Sequence, residues 1–84
     1  MSLLSNYNLG SSIYMNEIEF VNTIQSMIQS NQPYYSIFDT FIRFALDQKI
    51  FMNYFKMHNA VRIYIQPYAS TELLQYLKKN IDNL

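Results

Sequence analysis

The aromatic residues of this 84-residue chain are concentrated in its middle. Ten of its fourteen Tyr and Phe side chains lie between Tyr34 and Tyr68. Aromatic side chains provide much of the burial in a small core, and they are also enriched in protein interfaces. A chain this short forms one domain and buries only about 60–65% of the surface that its unfolded form exposes. The question is therefore which of these aromatic residues the domain can cover by itself.

The first and last helices are predicted by apolar periodicity together with capping residues. The first runs from about residue 17 to residue 30, with Asn16 and Glu19 spaced for a capping box. The last follows Ser70 and Thr71 and reaches about Asn83, with its leucines on one face.

Two further helices are predicted between them. Ser36 opens one, with Phe38, Phe41 and Phe44 on its apolar face. The phase of the apolar pattern then slips, which indicates a break at residues 47–49. We expect Asp47 to cap a short third helix that ends at residues 58–59, with a strand at residues 50–55 as the alternative.

Residues 60–66 give the clearest strand signal of the chain. Val61, Ile63 and Ile65 alternate with other side chains, and Pro67 follows. A single strand leaves its backbone groups unpaired, so a partner is required. The candidates are residues 12–15, residues 50–55, or the same strand of a second copy.

These elements predict an α-dominated α+β fold. Three N-terminal helices, one strand at about residues 60–66 and a C-terminal helix form one compact domain over residues 16–84. Residues 1–15 are expected to form a flexible or weakly ordered N-terminal segment.

Composition argues against catalysis and against a cofactor or metal site. The chain has no cysteine, one histidine and one glycine. It therefore lacks a thiolate nucleophile and a glycine-rich phosphate loop, and no pattern of metal ligands is present. His58 would need an orienting carboxylate, and the nearest acidic residue in sequence is Asp47, so we expect His58 to mark a helix end. We predict a non-enzyme with no catalytic residues.

The candidate binding surface comes from an excess of apolar residues. Between Ile50 and Met57 they point in too many directions for one face to bury them all, and exposed apolar patches usually mark interfaces. The predicted interface residues are Phe51, Tyr54, Phe55, Tyr64 and Tyr68.

A compact winged-helix-like DNA-binding regulator is the alternative function. Its nucleic-acid contacts would be Lys49, Asn53, Lys56 and Arg62, with the strand as the wing. The six basic and six acidic residues balance, so the chain lacks the positive field that usually drives nucleic-acid binding. We therefore favour protein binding over DNA binding.

The sequence thus predicts a small protein-interaction module that acts as a regulator or inhibitor. A formal net charge of zero favours self-association, so we expect a homodimer, with a further protein partner unknown. A structural subunit of a larger assembly is a third hypothesis. The many uncharged polar residues suggest a viral or mobile-element origin, and no span of apolar residues suits a membrane. The expected location is the cytoplasm, or the host cytoplasm for a viral protein.

Overall fold

The first helix begins where the sequence predicts. A computed structural model of the protein describes residues 15–84, and helix α1 spans Glu17–Gln29. The Asn16 side chain accepts a hydrogen bond from the Glu19 backbone N–H at 2.8 Å. The Glu19 carboxylate accepts in return from the Asn16 N–H at 3.2 Å. The predicted capping box is confirmed.

Residues 1–14, which carry most of the predicted flexible segment, lie outside the described residues. Met15 is held at both of its backbone polar groups. Its N–H donates to the Asp47 carboxylate at 3.0 Å, and its carbonyl accepts from the Gln48 side chain at 3.2 Å. The start of the described chain is thus fastened to the end of the second helix.

Helix α2 spans Tyr34–Asp47 and begins two residues before the predicted Ser36. Pro33 occupies the capping position with φ −58° and an extended ψ. Its carbonyl accepts from the backbone N–H groups of Ser36 and Ile37, at 3.0 and 3.3 Å. A proline preorganises this entry into the helix, because its fixed φ is compatible with the first turn.

Both α1 and α2 are followed by a non-glycine residue in the left-handed backbone conformation. Lys49, after α2, has φ 61°, and its N–H donates to the carbonyl three residues earlier at 3.1 Å. The Ile50 N–H donates to the carbonyl five residues earlier at 2.9 Å. These two bonds define a Schellman motif, and the same pair follows α1 at Asn31, whose φ is 56°. The predicted break at residues 47–49 is therefore confirmed.

The third helix, α3, spans Tyr54–Ala60, so the predicted boundaries at Asp47 and residues 58–59 are wrong. Asp47 is the last residue of α2, and its carboxylate accepts from the Met15 N–H. The cap of α3 is Asn53, whose side chain accepts from the Lys56 N–H at 3.1 Å. Residues 48–53 form a turn rather than the first turns of a helix or a strand.

The predicted strand at residues 60–66 is also wrong, and with it the α+β fold class. Helix α3 continues directly into a π-helical turn, Val61–Ile65, and then a 3₁₀ turn, Gln66–Tyr68. Every regular element within residues 15–84 is helical. In this conformation the backbone groups are paired along the segment itself, so no partner strand is required.

The burial pattern explains why the strand prediction failed. Met57, Ala60, Val61 and Ile65 are buried, and Tyr64 is half-buried. These positions follow the spacing i, i+3, i+4, i+7, i+8, which is the apolar stripe of a helix. A short apolar run can fit both the two-residue period of a strand and the 3.6-residue period of a helix. Here the alternation of three β-branched residues concealed the helical period.

The helix type changes just before a proline. Pro67 has no N–H and cannot donate to the carbonyl of Ile63, as an α-helix requires. The Gln66 N–H donates instead to the Val61 carbonyl, five residues earlier, which is the π pattern. The helix therefore widens before it ends.

The last helix, α4, spans Thr71–Asp82. The Ser70 hydroxyl oxygen accepts from the Leu73 N–H at 3.2 Å, as a capping serine does. Its predicted apolar face is buried at Leu73, Leu77 and Ile81, so the prediction of this helix is confirmed.

All four helices and the π-helical turn contribute to one core. A stacked pair, Phe20 and Phe44, lies at its centre with ring centroids 4.0 Å apart. The Tyr64 ring meets both rings edge-on, at 6.3 and 5.5 Å. The fully or nearly fully buried apolar residues are Phe20, Ile24, Ile37, Phe41, Phe44, Ala45, Met57, Ala60, Val61, Ile65, Leu73, Leu77 and Ile81.

Candidate functional site

The most prominent surface feature is a run of exposed apolar side chains at residues 51–55, which lie in the turn after α2 and on the first turn of α3. The exposed fractions are 37% for Phe51, 48% for Met52, 41% for Tyr54 and 82% for Phe55. We call these four residues the apolar segment. The fold covers the flanking residues Ile50 and Met57 partly and fully, respectively, so the exposed residues are those that the core leaves out.

The backbone of the apolar segment is fixed by local hydrogen bonds. Lys49 and Met52 both have the left-handed backbone conformation, with φ of 61° and 68°. The Asn53 N–H donates to the Ile50 carbonyl at 2.9 Å. Asn53 then caps α3. Phe51 and Met52 therefore lie in a hydrogen-bonded turn, and Tyr54 and Phe55 lie on the first turn of α3.

Tyr54 also links the apolar segment to the end of the chain. Its hydroxyl donates to the Leu84 carbonyl at 3.0 Å, and the Leu84 side chain is 40% exposed. The apolar surface therefore extends from α3 toward the C-terminal end of α4.

The five predicted interface residues do not all come together. Phe51, Tyr54 and Phe55 belong to the apolar segment, whereas Tyr68 lies in the 3₁₀ turn and is 43% exposed. The π-helical turn and most of α3 separate Tyr68 from Phe55. Tyr64 is half-buried and packs edge-on against the stacked core rings, so it is mainly a core residue.

A cleft of about 310 Å³ opens beside this segment, between the C-terminal end of α2 and the outer side of α3. Its floor is apolar and includes the buried Phe44 and the half-buried Tyr64. Lys56 of α3 and Ile63 of the π-helical turn, which is 52% exposed, line the other side. The lining residues are Phe44, Gln48, Ile50, Lys56, Asn59, Ala60, Ile63 and Tyr64.

Of the four residues predicted for nucleic-acid contact, one lines this cleft and two are neighbours of lining residues. Lys56 lines it directly, and Lys49 lies between two lining residues in sequence. Arg62 donates to the Asn59 side chain, which is also part of the lining. The Asn53 side chain is committed to capping α3. Lys56 therefore faces the cleft and Arg62 is bonded to its lining, whereas the Asn53 side chain caps a helix.

Sequence reasoning missed a histidine–carboxylate pair. His58 lies in the last turn of α3, and its Nε2 is 2.9 Å from the Asp82 carboxylate of α4. The Lys78 ammonium lies 3.5 Å from the other carboxylate oxygen. The hydrogen bond with His58 lowers the pKa of Asp82, and the charge of Lys78 acts in the same direction. The partners are 24 residues apart, so no local spacing signalled the pair.

This pair joins two helices. Within residues 15–84 no hydroxyl group is hydrogen-bonded to His58 to serve as a nucleophile. The carboxylate is half-exposed, with a side-chain exposure of 51%. Its geometry supports a tie between α3 and α4.

Two other classes of site are absent from the described part of the chain. No group of three or more His, Asp or Glu side chains in residues 15–84 is placed to hold a metal ion. Among the same residues, no helix has the length and apolar character needed to cross a bilayer.

Comparison with known proteins gives no further indication of function. No protein-family model, curated protein or solved structure matches this chain.

Proposed function

We propose that this chain is a non-catalytic protein-binding module that acts through its apolar segment. The observation that supports this proposal is the exposure of four large apolar side chains within five positions, with Phe55 82% exposed. Contiguous exposed apolar surface is unusual on a soluble monomer and commonly marks a contact with another protein. Phe, Tyr and Met are also the residue types enriched in interfaces.

The first partner that we propose is a second copy of the chain. Burying a fully exposed Phe or Met side chain contributes roughly 1.5–3 kcal/mol, and association has its own cost in translational and rotational freedom. A two-fold dimer uses the same patch on both subunits, so every contact is made twice. The formal net charge of zero adds no overall repulsion between copies.

A module of this kind would act as a small regulator or inhibitor by occupying the surface of a partner. A structural subunit of a larger assembly would use the same apolar surface and differ in stoichiometry. The winged-helix alternative is no longer supported, because residues 60–66, which were to form the wing, are helical.

Light scattering after size exclusion tests the dimer directly. The proposal expects twice the 10.1 kDa mass of the chain at micromolar concentration. Phe55→Ser removes the most exposed apolar side chain and should shift the mass toward the monomer. Ile18→Ser is the matched control, because Ile18 is 74% exposed but lies on α1.

Circular dichroism of both variants is needed alongside the mass measurement. A helical, cooperatively unfolding Phe55→Ser monomer beside a dimeric Ile18→Ser protein would support the apolar segment as the interface. An unmodified protein that is fully folded and monomeric across the micromolar range would contradict the dimer. Equal loss of mass in both variants would contradict the assignment of the contact to residues 51–55.

A further inference from the structure

The cleft beside α3 differs from the apolar segment in having cations at its rim. Three of the six basic residues, Lys49, Lys56 and Arg62, lie in it or next to its lining. Within residues 15–84 none of the three forms an ion pair, whereas Arg43 and Lys78 are paired with Asp47 and Asp82. Of the four Lys and Arg residues that form no ion pair within residues 15–84, three therefore lie in the cleft or next to its lining.

The lining of the cleft contains no acidic residue. The nearest carboxylate in sequence, Asp47, is only 16% exposed at its side chain and is occupied by Arg43 and the Met15 N–H. The cleft thus combines an apolar floor with a positive edge.

The interior of the cleft suits apolar side chains. Its volume of about 310 Å³ is at the small end of the range of ligand pockets, roughly 300–1,000 Å³. Ile63 leaves half of its side chain uncovered at the edge, and the Lys56 stem adds aliphatic surface below its ammonium group. One or two apolar side chains of a partner would fill this space.

We infer that this cleft binds an acidic amphipathic helix of a partner protein. Apolar residues on one face of that helix enter the cleft, and Glu or Asp side chains beside them meet Lys49, Lys56 and Arg62. An arginine pairs with a carboxylate through two parallel hydrogen bonds, which adds orientation to attraction. This inference extends the proposed binding function to a second surface with a different partner chemistry.

Nucleic acid is the other polyanion that three cations could attract, and the cleft favours it less. Phe44 is 1% exposed, so it offers no stacking face to a base. The overall charge is zero, and phosphate binding gains most from a broad positive field. The apolar floor would be left uncovered by a phosphate backbone.

The first test uses a fluorescent synthetic peptide of about 15 residues, long enough for an amphipathic helix to begin to form in water. It carries Leu at positions i, i+3, i+4 and i+7, and Glu at the flanking positions. A second peptide has the same leucines with every Glu replaced by Lys, and a short DNA duplex is the third probe. Fluorescence anisotropy at low and moderate salt compares the three. We expect only the acidic peptide to bind saturably, and we expect its binding to weaken as the salt concentration rises.

Charge variants locate the binding site. Lys56→Glu should weaken the acidic peptide by roughly three- to tenfold, since it removes one attraction and adds one repulsion at a partly exposed position. Lys79→Glu is the matched control, because Lys79 is exposed on α4 and does not line the cleft. We expect it to leave the affinity within about twofold. Ile63→Ser should weaken binding by about fivefold, since it removes a half-exposed apolar contact.

Several outcomes would overturn this inference. Equal binding of the acidic and basic peptides would remove the role of charge, and equal effects of the two Lys→Glu variants would remove the role of the cleft. Binding of the duplex without the peptide would assign the rim to nucleic acid. Light scattering of the Lys56→Glu and Ile63→Ser variants separates this inference from the dimer proposal: both should keep the mass of the unmodified protein. Loss of the dimer in these variants would instead make the cleft part of the self-association surface.

Discussion

Two isoleucines that lie two positions apart provide a sharp test of the helical structure at residues 60–66. In a strand, Ile63 and Ile65 would share one face and contribute similarly to the core. In the helix they diverge, because Ile65 is fully buried and Ile63 is 52% exposed. Replacing each by alanine changes the same chemistry in two different environments.

The expected difference in stability follows from these environments. Ile65→Ala removes buried methylene groups and leaves a cavity, which costs about 2–5 kcal/mol. Ile63→Ala loses about 1 kcal/mol of partial burial, and the better helix propensity of alanine returns about half of that. A domain of this size has roughly 4–13 kcal/mol of stability in total, so the first change is severe and the second is minor.

Urea unfolding, followed by circular dichroism at one fixed protein concentration, measures both. We expect the two free energies of unfolding to differ by at least about 2 kcal/mol, with Ile65→Ala the less stable variant. Ile65→Val, which costs about 0.5–1.5 kcal/mol, keeps the comparison available if the alanine variant fails to fold. Similar losses at the two positions would refute the helical assignment and restore the alternating pattern of a strand.

Three further predictions concern caps, turns and pH. Asn16→Ala breaks the capping box of α1 and should cost about 1 kcal/mol in urea unfolding, whereas Asn22→Ala, at an exposed position within the same helix, should cost far less. Lys49→Gly should raise the free energy of unfolding by about 0.5–1 kcal/mol, because glycine adopts the left-handed conformation of this position without steric cost; a loss of stability would refute that account of the turn. The His58 hydrogen bond lowers the pKa of Asp82 below its ordinary value of 3.8, so its stabilisation is present above that pH and is lost as the pH falls through the lowered pKa. The stability difference between the unmodified protein and Asp82→Asn should therefore disappear in acid, and a difference that persists at the lowest pH would exclude this linkage.

The parts of the fold that sequence could predict are those that local chemistry determines. Asn16 and Glu19 satisfy each other's backbone groups three residues apart, and Ser70 caps α4 in the same local way. In α1, α2 and α4 the apolar stripes run for three or four turns, which is long enough for only the helical period to fit them. These elements need no information from the rest of the chain.

The failures lie where a local pattern has two solutions. Val61, Ile63 and Ile65 alternate, yet Ala60, Val61, Tyr64 and Ile65 also fit a helical stripe. The core decides between them, because the Tyr64 ring completes the packing around Phe20 and Phe44. Asp47 likewise suits a cap by its type, but the distant Met15 N–H binds its carboxylate.

The candidate site also has one part that the sequence could predict and one part that it could not. An excess of apolar residues at 50–57 was visible in the sequence, and the structure leaves Phe55 82% exposed. The cleft was not visible, because it forms only when the turn at residues 48–53 brings Phe44 and Gln48 beside α3. Sequence analysis placed the cations Lys49, Lys56 and Arg62 on a nucleic-acid face, since it could not show the apolar floor between them.

The turn at residues 48–53 connects the two proposed surfaces physically. It contains two left-handed residues, Lys49 and Met52, and neither is glycine. Each such residue costs roughly 1–2 kcal/mol, a cost that a small domain with little stability in reserve sustains only if the surrounding structure fixes the turn. The consequence of this geometry is that Met52 and its neighbours face outward on one side, while Ile50 closes the cleft on the other. The two surfaces therefore share one turn, which carries Phe51 and Met52 of the apolar segment and Gln48 and Ile50 of the cleft lining.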